Sequence, residues 1–526
     1  MKVPYQIWFN HDTTNILTCT SPYHKQGEDF TEEMLCASID ELAGTGVDAV
    51  SLSPGNGAVP WWQSKVYPDH WQWYQTRTGK ELSSYGKYVN AGGDMVRVFC
   101  EQCRKHGIAP VLSLRLKDEH SIEHLDNESV SKFFYEHQSW RIDRRPEAQM
   151  GWRGLNWIYP AVREERLMLI AELAENYDID GLELDFMRFY PFFDLESTDF
   201  SQRSRILTDF IQQVRDILDQ TQRGSRRYLA IRVPNRLREH KNLGIDLGLL
   251  DQLGIVDMIN VSSSYVTQVE SDVEFIRALA PNTSVFYELT HCAARGPSCG
   301  WGYTGGDDYP IRFTTDTQFY TAANLAYARG ADGISLFNFV YTRQYGCGAI
   351  EGNFCEPPFY LLQNLKDREF LKQQPQHYWM PYWWKTGYNG RQFQLPLQFY
   401  RNSTHTIELD IAKPRKTIGR TIFRLETAGG TPVLSATEPV ANVRGTPGLK
   451  WNVLVNGYEA CECDDVSEPF ENPRAGFTGY PEQYYAFSVP EDALREGLNQ
   501  FTICLSAAPV SPEFSIWLIY TDLSIV

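Results

Sequence analysis

Eight short apolar segments, each ending in polar residues and separated by longer stretches with helical signals, constrain the fold of this chain most strongly. They occupy residues 5–10, 47–53, 108–115, 179–186, 228–233, 256–262, 284–289 and 331–339. Strands that alternate with helices indicate a parallel sheet with crossover connections, in which strands are apolar on both faces. Because eight is the strand number of a closed (β/α)₈ barrel, the sequence predicts such a barrel over residues 1–375.

Signals at the ends of the intervening helices support the same architecture. Thr31 precedes two glutamates and an apolar periodic stretch that stops at Gly44, Pro160 opens another helix, and Thr317 leads one that ends before Gly330. An open doubly wound sheet is the alternative, but it would normally carry a glycine-rich phosphate turn after the first strand. Residues 10–14 read Asn-His-Asp-Thr-Thr, so we favour the barrel.

The character of the sequence changes after about Leu371. An aromatic segment with prolines leads into segments of alternating polarity at residues 404–411, 451–455, 484–488, 499–505 and 515–522. This pattern predicts an antiparallel, jelly-roll-like β-sandwich over residues 376–526, as an accessory domain. The predicted fold class is therefore α/β, with a (β/α)₈ TIM barrel followed by a β-sandwich.

Charge and composition exclude several partners. The 49 Lys and Arg against 66 Asp and Glu give a net charge of −17, which opposes contact with phosphate backbones, so we expect no nucleic-acid partner. No apolar run reaches the roughly 18–20 residues that span a bilayer, so we expect no membrane partner. The start of the chain lacks a signal-type segment, which favours a cytoplasmic location, or a periplasmic or secreted one if this is a mature form.

Cysteine usage predicts reduced thiols. The 11 cysteines are an odd number and do not form two CxxC motifs that together would suggest zinc, so neither a zinc site nor a disulfide framework is indicated. Cys292 with Cys299, and Cys347 with Cys355, are the pairs that could form within loops.

Three acidic residues fall at or near predicted strand ends. The active site of such a barrel lies at the carboxyl ends of the strands, and side chains alternate along a strand, so Glu183 and Asp185 both point inward. Glu288 lies near the end of the seventh segment, next to its last residue, Leu289. Cleavage of a glycosidic bond needs two carboxyl groups, one to protonate the leaving oxygen and one to attack the anomeric carbon or activate water. The sequence therefore predicts a glycoside hydrolase with Asp185 and Glu288 as catalytic pair and Glu183 in support.

The segment DGLELDFMRF at residues 180–189, preceded by NWIYPAVRE at residues 156–164, resembles the family 10-like glycoside-hydrolase-like barrels. In that family a fourth strand of the form DG-x-E-L-D-F-x-R follows a helix that begins Pro-x-Val-Arg. The resemblance implies carbohydrate as substrate class and Glu183, Asp185 and Arg188 as site residues. Placement on strands four and seven also agrees with clan A barrels and slightly favours a retaining mechanism. That clan usually carries Asn-Glu on strand four, so the roles of the two carboxylates stay open.

Further polar residues at the strand ends complete the predicted site. Arg115, Arg188 and Arg232 either bind an acidic or sulfated sugar or compensate the three acids. The other predicted substrate-binding residues at or after strand ends are His11, Asn235, Tyr265, His291 and Asn338. Metal binding by His11 and Asp12 has no third ligand at a recognisable spacing, so we expect no metal and no cofactor.

Tryptophan and tyrosine residues cluster in the connections that follow the strands. Trp61 and Trp62 lie in the long connection after the second strand, and Trp301 follows the seventh. Aromatic rings in such loops stack on the faces of pyranose rings, so the three are predicted substrate-binding residues. The alternative is a small core that fixes a long loop.

Two other functions fit the same residues. A carbohydrate-binding protein would use the site for capture without turnover. A polysaccharide lyase acting on a uronate would use the arginines to neutralise the carboxylate and a Tyr or His to remove the proton. The sugar, the linkage and the oligomeric state cannot be read from the sequence.

Overall fold

The computed structural model describes most of the chain, in two compact units. The described residues are 2–19, 21, 23, 27–118, 120–148, 151–222, 224–263, 265–267, 269–295, 311–343, 356–381, 394–414, 419–429, 448–465, 482–510 and 514–526. The first unit comprises Met1–Ser264, Asp272–Glu288 and Arg329–Asn338, and the second comprises Tyr265–Ser271, Leu289–Ala328 and Phe339–Val526. The division predicted at residue 375 stays a prediction.

Eight parallel strands close the predicted barrel. They are β1 (Ile7–His11), β2 (Ala49–Leu52), β3 (Ala109–Arg115), β4 (Gly181–Asp185), β5 (Tyr228–Pro234), β6 (Met258–Ser262), β7 (Ser284–Thr290) and β8 (Gly333–Phe337). Each strand pairs with the next one along the chain, and β8 closes the barrel on β1. Every predicted apolar segment overlaps one of these strands, so the predicted barrel is confirmed.

Thirteen α-helices occur in the described part of the chain. They are α1 (Asn15–Thr18), α2 (Glu32–Asp40), α3 (His70–Thr78), α4 (Ser84–Asn90), α5 (Met95–Lys105), α6 (Lys132–Glu136), α7 (Pro160–Asn176), α8 (Phe200–Gln220), α9 (Leu237–Leu243), α10 (Leu247–Leu253), α11 (Val273–Leu279), α12 (Asp316–Ala328) and α13 (Arg368–Gln373). Several begin at side-chain caps: Asp94 accepts a hydrogen bond from the amide of Arg97, and Asp199 from that of Gln202. No described helix is long and apolar enough to cross a membrane.

The lower part of the barrel is apolar, and its carboxyl end is polar. Trp8, Val111, Met258 and Phe286 belong to a buried cluster inside the barrel, toward the amino ends of its strands. Strand register pairs Arg115 of β3 with Asp185 of β4, Asp185 with Arg232 of β5, and Arg232 with Asn260 of β6. The charged side chains at the carboxyl ends of the strands therefore lie above a layer of apolar side chains inside the barrel.

The second unit carries a nine-stranded antiparallel sheet. Its strands are β9 (Gln376–Pro381), β10 (Leu397–Phe399), β11 (Thr404–Ile411), β12 (Thr421–Ala428), β13 (Lys450–Val455), β14 (Tyr458–Cys463), β15 (Glu482–Ser488), β16 (Gly497–Ala507) and β17 (Ile516–Ile525). Rings from strands that are not neighbours pack on each other: Phe423 of β12 stacks on Phe501 of β16, with centroids 4.4 Å apart. The sheet thus folds over itself as the predicted β-sandwich.

A buried ion pair fixes a hairpin to this sheet within the second unit. The hairpin pairs Cys292–Arg295 with Ile311–Phe313. Arg312 donates through both terminal nitrogens to the two carboxylate oxygens of Glu426 on β12, and also to the hydroxyl of Tyr484. Trp379 of β9 donates to the carbonyl of Ala293 at 3.0 Å.

Candidate active site

One buried arginine joins the two predicted catalytic carboxylates. Nε of Arg232 lies 2.6 Å from Oε2 of Glu288, and Nη2 lies 2.8 Å from Oε1. Nη1 of the same guanidinium donates to Oδ2 of Asp185 at 3.0 Å. Because the guanidinium is small, planar and rigid, Oδ2 of Asp185 and Oε2 of Glu288 lie within roughly 8 Å of each other.

Both carboxylates accept hydrogen bonds on both oxygens. Ser262 donates to Oε1 of Glu288, and the amide of Met187 donates to Oδ1 of Asp185 at 2.7 Å. The guanidinium carbon of Arg232 lies 4.1 Å from the centre of the Phe337 ring, a cation–π contact. Burial lowers the pKa of Arg232, but the two carboxylates outweigh that effect and raise it. The group therefore holds a positive charge between two acids.

Glu183 lies one layer deeper and is fully buried. The hydroxyl of Ser113 donates to its Oε1 at 2.7 Å, and the side-chain amide of Asn260 donates to its Oε2 at 3.0 Å. Burial raises the pKa of Glu183 to about 7; Arg232 opposes this shift and Asp185 adds to it. Unlike an exposed glutamate, this side chain can hold a proton near neutral pH.

A second charged network lies at the ends of β1 and β3. Nη2 of Arg115 is 2.9 Å from Oδ1 of Asp12, and its Nη1 is 3.4 Å from Oδ2 of Asp118. Nδ1 of His120 contacts Oδ1 of Asp118, which also accepts the His120 amide at 3.1 Å. Burial raises the pKa of Asp12, but Arg115 and Arg188 outweigh it and lower the value to about 2. The result is a row of side chains of alternating charge, from Asp12 through Arg115 to Asp118, that ends at His120.

Phe337, at the end of β8, connects the two networks. Arg188, which follows β4, lies 3.8 Å from Oδ2 of Asp12 through its Nη2. Its guanidinium carbon is 5.4 Å from the centre of the Phe337 ring, the ring that also contacts Arg232. The inner and outer charged groups therefore meet at one aromatic side chain, and we treat them as one site.

The backbone after β4 and β8 is strained beside this site. Phe189 and Asn338 both have a φ of 53°, a left-handed conformation that costs a side-chain-bearing residue about 1–2 kcal/mol. Lys117 is buried, and its ammonium donates to the carbonyl of Phe189 at 2.8 Å and to that of Gly151. Strain of this kind collects at functional sites, where the surrounding contacts maintain it.

The other predicted polar residues of the first unit lie around the site in different ways. His11 points toward α2, because its Nε2 is 2.9 Å from the hydroxyl of Ser38, and burial lowers its pKa to about 4. Asn235 directly follows β5, and its backbone amide donates to the backbone carbonyl of Ser262. Asn338 directly follows β8, and its buried Oδ1 has no hydrogen-bond partner among the described residues. Nδ1 of His11 is likewise buried without a hydrogen-bond partner among the described residues, so His11 and Asn338 each keep a buried polar atom that a ligand could contact.

Trp61 and Trp62 are 3% and 4% exposed. The Trp61 ring stacks on Tyr85, with centroids 4.2 Å apart and planes 13° apart. The indole nitrogen of Trp62 donates to Oε2 of Glu172 on α7 at 2.9 Å. Glu172 also accepts from Ser64 and from the amide of Lys65. These contacts are those of a small core that fixes the loop, and the two rings have no place in the function proposed below.

Two predicted residues belong to the second unit, and one lies outside the described residues. Tyr265 packs partly buried against Val266 and Cys292. His291 is buried, with its ring 5.9 Å from that of Tyr341. Trp301 lies outside the described residues.

Sequence reasoning missed His120, Asp118 and Phe337 as members of the site. Asp118 and His120 follow the third apolar segment within five residues of its end, in the sequence Arg-Leu-Lys-Asp-Glu-His. Their position just past a strand end was a usable signal, since loops at the carboxyl ends of barrel strands build the active site. Phe337 had no such signal because an aromatic residue in an apolar strand reads as core.

Comparisons with known proteins give structural similarity only. No protein-family model and no curated protein matches the sequence. An α-L-fucosidase isoenzyme 2 from Paenibacillus thiaminolyticus is 13% identical, with a TM-score of 0.41 over 69% of this chain and 48% of that one. This chain therefore spans about half the length of that protein.

Two further structures match at similar levels. The group II chitinase catalytic domain 2 of Ostrinia furnacalis is 11% identical, with a TM-score of 0.39 over 69% of this chain and 97% of that one. An α-amylase from H. orenii is 10% identical, with a TM-score of 0.39 over 96% and 100%. All three names are those of glycoside hydrolases, but similarity at this level carries no conclusion about activity. The family 10-like resemblance stays a prediction.

Proposed function

We propose that this protein is a glycoside hydrolase that acts through Asp185 and Glu288. The observation that carries the proposal is the guanidinium of Arg232, which holds these carboxylates together at the carboxyl ends of β4 and β7. The active sites of (β/α)₈ enzymes lie at this end of the barrel. A buried arginine between two acids holds the pair close together through charge-assisted hydrogen bonds.

The arrangement supports a different role for each of the two carboxylates. One carboxylate attacks the anomeric carbon or activates water, and the other stabilises the positive charge that develops on the sugar ring. Retaining enzymes separate the two carboxyl groups by about 5–5.5 Å and inverting enzymes by about 6.5–9.5 Å. The limit of roughly 8 Å set by Arg232 is compatible with both, so product stereochemistry is part of the test.

The test uses Asp185→Asn and Glu288→Gln, each of which keeps side-chain size and removes the charge. Wild type and variants are assayed on a panel of nitrophenyl glycosides and on polysaccharides, with release of nitrophenol and of reducing ends as readouts. We expect each variant to lose about 10²–10⁴-fold or more in turnover, the effect of losing one catalytic proton-transfer or nucleophilic group.

Asp257→Asn is the matched control. Asp257 is equally buried and accepts from Arg215 at 3.2 Å and Arg226 at 3.1 Å, but it directly precedes β6 at the opposite end of the barrel. It should lower stability and leave turnover per folded molecule unchanged. Full activity in both site variants would refute the proposal.

The same panel separates the two other functions. Saturable binding by calorimetry without any product from the wild type indicates a binding protein. Cleavage with the ultraviolet absorbance of an unsaturated product indicates a lyase acting on a uronate.

A further inference from the structure

Glycoside cleavage needs a proton donor that the two central carboxylates do not provide. The four oxygens of Asp185 and Glu288 all accept hydrogen bonds, from Arg232, Ser262 and a backbone amide. A carboxyl group whose two oxygens both accept hydrogen bonds does not present a proton to a substrate. The protonated alternative, Glu183, is fully buried in the deeper layer with both oxygens engaged. The group that protonates a leaving oxygen must therefore come from another part of the site.

His120 has the geometry of such a donor. Its Nδ1 is held by the buried carboxylate of Asp118, and its side chain is 41% exposed. Nε2 makes no hydrogen bond to any described residue. An imidazole with Nδ1–H fixed by a carboxylate exchanges its other proton with a ligand through Nε2. The ring also packs edge-on against Phe189, with centroids 4.8 Å apart, on the loop that follows Asp185.

A network of charged groups holds the His120–Asp118 pair in place. Arg115 joins Asp118 to Asp12, and the backbone amide of His120 also donates to Asp118. Burial raises the pKa of Asp118, but His120, Arg115 and Arg188 outweigh it and hold the value well below its usual range. Asp118 therefore stays an acceptor for Nδ1–H, and Asp118 and Arg115 are positioning residues.

We propose that His120, oriented by Asp118, is the acid/base catalyst of the glycoside hydrolase reaction proposed above, on which this inference rests. The bond between the anomeric carbon and the leaving oxygen breaks, its electron pair stays on that oxygen, and the oxygen takes the proton from Nε2. A carboxylate of the Asp185–Glu288 pair forms the new bond to the anomeric carbon. In the second step water attacks this carbon, the carboxylate leaves with its electrons, and Nε2 takes the proton from the water.

Leaving-group dependence tests this role, because a poor leaving group needs protonation and a good one does not. Two glycosides of the sugar selected by the panel are compared, one with an alkyl and one with a dinitrophenyl leaving group. We expect His120→Gln to lose about 10²–10⁴-fold in kcat/KM on the alkyl glycoside and less than about tenfold on the dinitrophenyl glycoside. Asp118→Asn should show the same selectivity with a smaller loss.

His106→Gln is the control, because His106 also contacts an aspartate, Asp40, through Nε2 at 2.5 Å. His106 follows α5, at the amino end of the barrel, and its replacement should change neither rate. His120→Asn serves as a second variant if the glutamine variant folds poorly, and thermal unfolding checks both.

The outcomes distinguish the two proposals. Equal losses on both substrates, or no loss on either, would overturn the role of His120 while Asp185→Asn and Glu288→Gln still abolish cleavage. Full activity of those two carboxylate variants would instead overturn the proposed function.

Discussion

Replacing Glu183 by glutamine tests whether a proton is bound inside the barrel at neutral pH. The native pKa of Glu183 is about 7, against 4.5 for an unperturbed glutamate, and burial is the main cause. Between these two pH values the folded protein keeps a proton that the unfolded chain releases. The free energy of unfolding therefore falls as pH rises through this window.

The size of the effect follows from the shift. At about 1.4 kcal/mol per pH unit, ionisation of Glu183 costs the folded state roughly 3 kcal/mol above pH 7. The glutamine side chain stays neutral at all pH values. Its amide nitrogen can donate to the hydroxyl of Ser113, and its oxygen can accept from Asn260, so it replaces the protonated acid. Glu183→Gln should be within about 1 kcal/mol of the wild type at pH 5 and exceed its stability by about 3 kcal/mol at pH 8.

Urea unfolding followed by tryptophan fluorescence measures this difference at both pH values. Groups that do not interact with Glu183 titrate equally in both proteins and cancel when the two free energies of unfolding are subtracted. Glu183→Ala is the control: it removes the same titration and adds a cavity, so it should be less stable overall and show the same pH dependence as Glu183→Gln. If the free energies of unfolding of the wild type and Glu183→Gln differ by the same amount at pH 5 and pH 8, the reasoning is refuted.

Two further predictions concern stability outside the catalytic groups. Glu172→Ala removes the carboxylate that accepts hydrogen bonds from Trp62, Ser64 and the backbone amide of Lys65. We expect the free energy of unfolding to fall by about 2–4 kcal/mol in thermal unfolding, and proteolysis within residues 57–69 to become faster. Unchanged proteolysis would contradict the anchoring role of Glu172. Arg312→Met leaves the buried Glu426 without its cation and should cost about 3–5 kcal/mol, while Arg312→Met combined with Glu426→Leu should cost less than the single change. A double variant as unstable as the sum of its singles would contradict this reading.

Most of the barrel could be predicted because parallel strands covered on both faces appear as continuous apolar runs. The same rule explains what was missed in the sheet of the second unit. Every residue of β12 is buried, yet the strand contains Arg424 and Glu426, so it shows neither alternation nor an apolar run. β11, by contrast, alternates exposed and buried positions and was predicted with its observed bounds.

The sequence by itself determined the strand order and which acids point inward, because both follow from the local periods of helix and strand. Only the tertiary structure decided which groups meet: Arg232 binds two acids, and the Trp62 indole binds a glutamate of α7. Barrel closure brings together side chains far apart in sequence, and a hydrogen bond depends on their distance and angle. Local patterns carry neither quantity, which is why the sequence named three arginines as possible partners of the acids but not which arginine binds which acid.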